Sequence, residues 1–452
     1  MGLLAVYGVP NASTYIYYGL HNLQHRGQEG GGIATFDEKG VSYRHRGQGL
    51  LSEVFTNGEI KELKGSMGVG SVKYANASKG GPENVEPLFF RHKSGNFVVA
   101  GEGNLVNAKQ IADYLEKHGT IFQTDTDSEL LAHLIKKNYN EERIDRIVKA
   151  LNMMEGGFSF IVMTRSRVYA CRDKYGIKPL CIGKLGDGYV VSSESCAFDI
   201  MGAEFLRDVT PGEIVSFDVN GMRSTLWSRF SRHRMCAMEY IYFARPDSDI
   251  DGCNVHAYRK EAGRRLYREC PADADIVVGV PESGLSAAFG YAEESGIPFE
   301  MGLVKHKYVG RTFIQPEQSM RELGVKMKLT AVHSIVKGKR IVLVDDSIVR
   351  GTTCLKIVTL LRDAGAAEVH VRIASPMMRF PCHYGVDTST SEELLCSKRN
   401  LEEACKAICA DSLGYLSPES TRASAFGCAD PCQACFTGEY PTLLYDDIPS
   451  NV

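Results

Sequence analysis

The sequence predicts two domains of different build, a layered α+β domain over residues 1–228 and an α/β domain with a parallel sheet over residues 229–452. Three observations predict this division. At 452 residues the chain is too long for one ordinary hydrophobic core. Up to about Ser228, short β-like runs dominate and Gly or Asn turns separate them. From about Pro271 the pattern changes to strand, loop and helix in alternation, the order of a doubly wound sheet that binds ligands beyond the carboxyl ends of its strands.

In the first part the strand-like runs include 95–99, 158–163, 189–192 and 213–217. A helical stripe over 128–137 carries apolar residues at 130, 131, 134 and 135, behind an Asp127 or Ser128 cap. In the second part, 275–280 reads as a short buried strand that runs into Pro281-Glu282-Ser283-Gly284 and then a helix through Glu294. A second unit follows, with strand 339–344, loop 345–353, helix 354–364, Gly365 as its stop, and strand 368–373.

Hydrophobic residues at 44% and charged residues at 24% fit a soluble globular protein. The 52 basic and 55 acidic residues give a net charge of -3, which argues against nucleic acid as the main partner. Met1-Gly2-Leu3-Leu4-Ala5-Val6 has no basic n-region, and no run approaches the ~18 apolar residues of a membrane span. A cytoplasmic protein without a membrane partner is expected. Fourteen cysteines in such a chain suggest reduced thiols, a metal site or catalysis before a disulfide framework.

The run Ile341-Val342-Leu343-Val344 ends in Asp345-Asp346-Ser347-Ile348-Val349-Arg350-Gly351-Thr352-Thr353, a loop suited to a phosphorylated sugar. Backbone N–H groups of the loop and helix start can cradle a 5′-phosphate, and Gly351 lets the backbone approach. Thr352 and Thr353 add hydroxyls. The two carboxylates can take ribose hydroxyls directly or hold Mg²⁺. An isolated Asp-Asp pair is more often a solvated turn; the nine-residue context, which resembles the signature of type I phosphoribosyltransferases, reverses that preference.

The resemblance extends over nearly the whole chain. Asn254-Val-His256, Pro281-Glu-Ser-Gly284, Lys305-His-Lys-Tyr-Val-Gly-Arg-Thr-Phe-Ile-Gln-Pro316 and the Asp345 loop together resemble the glutamine phosphoribosylpyrophosphate amidotransferase family. The resemblance implies an enzyme that forms phosphoribosylamine, the first step of purine synthesis, from phosphoribosyl pyrophosphate. It implies that Asp345, Asp346, Ser347, Arg350, Gly351, Thr352 and Thr353 bind substrate and that Ser283, Asp345 and Asp346 serve Mg²⁺. Lys305, Tyr308 and Arg311 would close over the reacting centre and exclude water. On its own, 305–316 reads as an ordinary basic surface loop. Purine nucleotides as inhibitors and a homotetramer or dimer are implied by resemblance only.

Cys432-Gln-Ala-Cys435 is a ligand-type pair for which zinc, redox chemistry or chance are each credible. Similarity to the iron–sulfur branch of the family implies a [4Fe–4S] cluster on Cys236, Cys382, Cys432 and Cys435, with Cys428 a nearby extra.

The first domain resembles the class II glutaminase, of Ntn-hydrolase type, in Gly19-Leu-His-Asn-Leu-Gln-His-Arg-Gly-Gln-Glu29 and in Arg172-Asp-Lys-Tyr-Gly-Ile-Lys-Pro-Leu180. That family uses an N-terminal cysteine as nucleophile, and Met1 stands in its place. The family's carboxylate-clamping arginine is Lys73, in Ser71-Val72-Lys73-Tyr74. The family's Asn-Gly oxyanion donors read Glu102-Gly103, and an ionised Glu102 accepts hydrogen bonds only. Asp127 is kept, and Glu86 stands where Gln is usual. The resemblance therefore implies a glutaminase fold without glutaminase chemistry, and ammonia or another amine as nitrogen donor. The competing expectation is a non-catalytic paralogue that binds substrate or nucleotides and modulates an active amidotransferase.

Overall fold

Residues 2–226 pair into two antiparallel sheets. The computed structural model describes residues 1–74, 81–93, 95–137, 141–228, 232–306, 329–388 and 391–445. The first sheet has seven strands in the order Glu204–Asp208, Cys181–Leu185, Gly188–Ser192, Gly2–Tyr7, Met67–Lys73, Gly30–Phe36 and Ser42–Gln48. The second has six, in the order Gly221–Leu226, Glu213–Asp218, Val168–Arg172, Gly156–Thr164, Phe97–Leu105 and Leu88–Phe90.

The period of two along each strand creates the layers. Leu3 and Ala5 pack with Val98, Ala100, Ile161 and Val215 of the second sheet, so these side chains form the core between sheets. Leu4 and Val6 point the other way, onto Ile16 and Leu20 of helix Ala12–Asn22. The outer face of the second sheet packs Phe97, Val99 and Val162 on helices Asp127–Lys137 and Arg143–Asn152. The result is helix, sheet, sheet, helix.

The C-terminal part contains a four-stranded parallel sheet in the order Ile276–Gly279, Arg340–Asp345, Glu368–Ile373 and Ser412–Tyr415. Val277 sits opposite Val342, Val342 opposite His370, and His370 opposite Ser412. Alternate strand residues again face opposite ways. Val277, Val342 and Val344 meet helices Val255–Glu269 and Leu285–Ser295, while Val278, Ile341 and Leu343 meet helix Thr352–Asp363. Both faces are covered, which is why these strands read as nearly continuous apolar runs.

Three details differ from the sequence reading. Helix Thr352–Asp363 begins two residues earlier because Gly351, at φ 81, turns the chain in the left-handed region and caps it. Helix Asp127–Lys137 is entered from Thr126, whose hydroxyl accepts from Glu129 N–H at 3.3 Å, so neither Asp127 nor Ser128 is the cap. Strand Ser412–Tyr415 was not foreseen. No helix among the described residues is long and apolar enough to cross a membrane.

Candidate active site

Strand Arg340–Asp345 delivers Asp345 and Asp346 to the carboxyl end of the parallel sheet, and both are buried. The Asp345 carboxylate accepts from Asp346 N–H at 2.9 Å, and Ser347 Oγ donates to Asp346 at 2.6 Å. Burial, and then the neighbouring Asp346 carboxylate, push the Asp345 carboxyl well above its ordinary range. Burial also raises Asp346, opposed by the Ser283 and Ser347 hydroxyls and by the Arg259 guanidinium. Ser283, from the turn after Ile276–Gly279, thus lies beside the pair. Arg259 does not appear in that reading. It sits buried on helix Val255–Glu269, donating to the carbonyls of Tyr240 and Ala244 at 2.8 and 2.7 Å. Nothing in the sequence marks it among the other basic residues of that helix.

Gly351, Thr352 and Thr353 form the helix start, with both threonines exposed. The unpaired N–H groups of that first turn and the threonine hydroxyls make an anion cradle next to the carboxyl pair. Arg350 is exposed and paired with Glu393. Lys305 is exposed at the end of strand Leu303–Lys305, opposite Leu329. Tyr308 and Arg311 lie outside the described residues.

The metal expectations are corrected. Among the described residues, no group of three or more His, Cys, Asp or Glu side chains has a geometry that could hold a metal ion. Asp345 and Asp346 are two carboxyls with Ser283 beside them, and burial disfavours their doubly ionised form, so the Mg²⁺ assignment is withdrawn. The [4Fe–4S] assignment to Cys236, Cys382, Cys432 and Cys435 is withdrawn on the same finding. These cysteines share one neighbourhood, where Cys236 and Cys432 form an isolated parallel bridge. Burial pushes the Cys236 thiol up to about 12 and raises Cys432 and Cys435 as well. Cys382 Sγ accepts from Tyr384 N–H at 3.3 Å. Buried Cys428 donates its thiol to the His233 carbonyl at 3.7 Å.

The glutaminase-like hollow is lined by Met1, Lys73, Glu86, Glu102, Asp127 and Ser128, among others. None of the described residues that line it is a cysteine. Lys73 is buried and donates to the Asn84 carbonyl at 2.9 Å. Glu86 accepts from Gly101 N–H at 2.6 Å; burial raises its carboxyl, and Lys73 opposes that rise.

Glu102 is a counterion. Its carboxylate accepts from Arg26 and from Ser193 Oγ, the latter at 2.7 Å, and the Met1 amine stands 3.8 Å away. Burial alone would raise its carboxyl, but Arg26, the amine and Lys178 outweigh burial and hold it below the ordinary value. Arg26 also donates to Glu194 at 2.7 Å and to Glu239 at 2.8 and 2.9 Å. The sequence shows Glu102 as a lost donor; its partnership with Arg26 becomes visible only in the fold. Asp127 accepts from Leu105 N–H at 2.9 Å, on the strand that carries Glu102.

Comparison with known proteins agrees with both halves. Residues 78–199 match a glutamine amidotransferase domain, and residues 258–379 match a phosphoribosyl transferase domain. The chain is 51% identical to amidophosphoribosyltransferase of Bacillus subtilis (strain 168), over 99% of this chain and 95% of that protein. It is 46% identical to amidophosphoribosyltransferase of Staphylococcus aureus (strain Mu50), over 98% of this chain and 91% of that protein. The solved structure of the glutamine phosphoribosylpyrophosphate amidotransferase from B. subtilis, complexed with ADP and GMP, superposes with a TM-score of 0.94 over 99% of this chain and 98% of that one. With a layered glutaminase-like domain joined to a phosphoribosyltransferase domain and identity of this extent, the chain belongs to the amidophosphoribosyltransferase family.

Proposed function

We propose that this enzyme forms 5-phosphoribosylamine from phosphoribosyl pyrophosphate with ammonia, not glutamine, as nitrogen donor. Residues 1–228 are the glutaminase-like domain and 229–452 the phosphoribosyltransferase. The observation that carries the transfer reaction is the buried Asp345–Asp346 pair beside the open helix start at Gly351. The carboxyls accept the ribose hydroxyls, while Ser347, Thr352, Thr353 and the first-turn N–H groups hold the 5′-phosphate. This fixes C1 for attack. The ammonia lone pair forms the C1–N bond as the C1–O bond to pyrophosphate breaks, and the nitrogen then loses one proton to water. Lys305, Tyr308 and Arg311 are assigned to closure over the pyrophosphate, and Arg350, once released from Glu393, to the substrate's charge.

The choice of donor rests on Met1, Lys73 and Glu102. A thioether has no nucleophilic thiolate, and an ionised carboxylate repels the oxyanion that amide cleavage develops. The B. subtilis relative is solved with ADP and GMP bound, and we extend purine-nucleotide binding and homo-oligomeric assembly to this chain. The test is pyrophosphate release from phosphoribosyl pyrophosphate with ammonium salt and glutamine supplied in separate reactions. Release with ammonium alone is expected. Release with glutamine overturns the choice of donor, and release with neither overturns the catalytic reading in favour of a modulatory paralogue.

A further inference from the structure

Arg259 is a buried cation without an ion pair. It is 5% exposed, and its Nε and Nη2 donate to the carbonyls of Tyr240 and Ala244 at 2.8 and 2.7 Å. Arg26 and Arg172, also buried, each hold a carboxylate directly. Among the described residues Arg259 holds none. Carbonyl oxygens satisfy its donors but leave its charge uncancelled. Burial accordingly lowers its pKa, and the first charge to oppose that is the Asp346 carboxylate, followed by Glu194.

The surrounding backbone fixes its place. Helix Val255–Glu269, which carries Arg259, lies against helix Leu285–Ser295 with no room for a side chain at two crossings. A Cβ on Gly263 would come within 1.9 Å of the Ala287 carbonyl oxygen, and one on Gly290 within 1.8 Å of that of Lys260. His256, one turn before Arg259, shares a 3.0 Å hydrogen bond with Ser286 Oγ, at the start of the helix that follows Ser283. Gly284 brings that turn onto the end of strand Arg340–Asp345, where a Cβ would stand 2.5 Å from the Val344 carbonyl oxygen. The peptide that Arg259 grips is held at both ends: Ala244 C=O accepts from Arg259, and Arg245 N–H donates to Glu194 at 2.9 Å.

This placement favours one carboxyl of the acidic pair. The Arg259 charge acts on Asp346, alongside the Ser283 and Ser347 hydroxyls, whereas the charge that acts on Asp345 is the Asp346 carboxylate. A carboxylate set against a cation is the stronger acceptor for a hydroxyl. We propose that Arg259 is a positioning residue for phosphoribosyl transfer: held by the Tyr240 and Ala244 carbonyls, it sets its charge against Asp346 so that this carboxylate takes a ribose hydroxyl. Arg259 acts through Asp346 and does not itself touch the sugar. Its role rests on the reading of Asp345 and Asp346 as the ribose-binding pair.

The test measures phosphoribosyl pyrophosphate affinity of the full chain by calorimetric titration, with KM values from ammonium-driven pyrophosphate release and circular dichroism to establish folding. The parent is compared with Arg259→Gln, Arg259→Lys and Asp346→Asn, and with each Arg259 variant combined with Asp346→Asn. Arg259→Gln is expected to weaken binding about tenfold, and Arg259→Lys, which keeps the charge but not the fork, about threefold. The KM for phosphoribosyl pyrophosphate should rise in step, and the KM for ammonium should not follow. Both losses should shrink below about twofold in combination with Asp346→Asn, because the carboxylate on which the cation acts is gone. Losses that persist undiminished in that combination would show that Arg259 only braces the Glu239–Phe243 turn, and so overturn the proposal. A Lys variant as weak as the Gln variant, or no loss in any folded Arg259 variant, overturns it as well. Should Arg259→Gln not fold, the Lys variant with and without Asp346→Asn decides. Unchanged affinity in Asp346→Asn itself would overturn the sugar-site reading and the role of Arg259 with it; weaker binding by Asp346→Asn but not by Arg259→Gln overturns Arg259 alone.

Discussion

Arg26 grips Glu239 with both terminal nitrogens, Nη1 to Oε2 at 2.8 Å and Nη2 to Oε1 at 2.9 Å, and neither residue is exposed. Arg26 precedes strand Gly30–Phe36 of the first sheet, whereas Glu239 opens the helical turn Glu239–Phe243 that leads toward the phosphoribosyltransferase domain. The fork therefore spans the two architectures. The same guanidinium serves Glu102 and Glu194, with Lys178 as a second cation 3.5 Å from Glu239. Removing one partner of such a pair strands the others in a dry interior. Arg26→Met is expected to lower stability by about 3–5 kcal/mol, read from urea midpoints. A loss below about 1 kcal/mol, the range of an exposed pair, would show that the network contributes little.

A second buried group makes stability depend on pH. Asp251 is held ionised by Arg172, at 2.8 Å through both nitrogens, and by His233 at 2.8 Å. Burial, and then the charge of Asp251, push the Asp208 carboxyl from 3.8 up to about 7. The folded chain then binds a proton that the unfolded chain has released, so the Asp208 contribution is fully present below about pH 4 and is lost as pH rises through 7. The loss is at most about 1.4 kcal/mol per pH unit. Asp208→Asn removes this dependence. Urea midpoints at pH 5 and pH 8 should therefore shift in favour of the variant at the higher pH; an unchanged difference would refute the assignment.

His233 titrates later. Burial lowers its imidazole, but Asp251 and Cys428 outweigh burial and raise it to about 9. Its contribution is present below the ordinary value of 6.5 and is lost as pH rises through 9. His233→Gln should consequently narrow the stability gap between pH 6 and pH 10, again by denaturant midpoint; a gap as wide as the parent's would mean that the imidazole is not charged in the fold.

Legibility in the sequence followed distance along the chain. Strand Arg340–Asp345 was readable because four consecutive apolar residues precede the aspartates, and its loop carries its chemistry in one contiguous stretch. Strand Ser412–Tyr415 was not, because Ser-Leu-Gly-Tyr holds one aliphatic residue and a glycine, and its place at the sheet edge comes from pairing with Glu368–Ile373. Glu102 was readable as a lost donor, but its partner Arg26 lies 76 residues away. Lys73 and Glu86 were likewise read singly, though the fold sets one charge against the other. The Cys432 and Cys435 spacing suggested ligands, but spacing does not report which other side chains the fold brings near, and among the described residues no group of three or more His, Cys, Asp or Glu could hold a metal ion.

Asp346→Asn tests the sugar site. A carboxylate accepting a ribose hydroxyl makes a charge-assisted hydrogen bond worth about 1.5–3 kcal/mol, so phosphoribosyl pyrophosphate should bind about 10- to 150-fold more weakly. Calorimetric titration gives the value directly. Unchanged affinity in a folded variant would remove Asp346 from the site.

Met1→Cys alone should not restore use of glutamine. The new thiol would stand where the family's nucleophile stands, yet Glu102 would remain beside it, tied to Arg26 and Ser193 and offering acceptors only. Loss of one oxyanion donor costs about 10²–10³ in kcat, and here the donor is replaced by a charge of the wrong sign. Lys73, fixed on the Asn84 carbonyl, gives a point charge in place of a fork for the glutamine carboxylate. Adding Glu102→Asn leaves Arg26 with Glu194 and Glu239, so the network keeps two carboxylates for that guanidinium. Glutaminase activity should first become measurable in the combination of Met1→Cys, Glu102→Asn and Lys73→Arg, followed as glutamate release. Full glutamate release by Met1→Cys alone would show that the carboxylate at 102 does not block the oxyanion position.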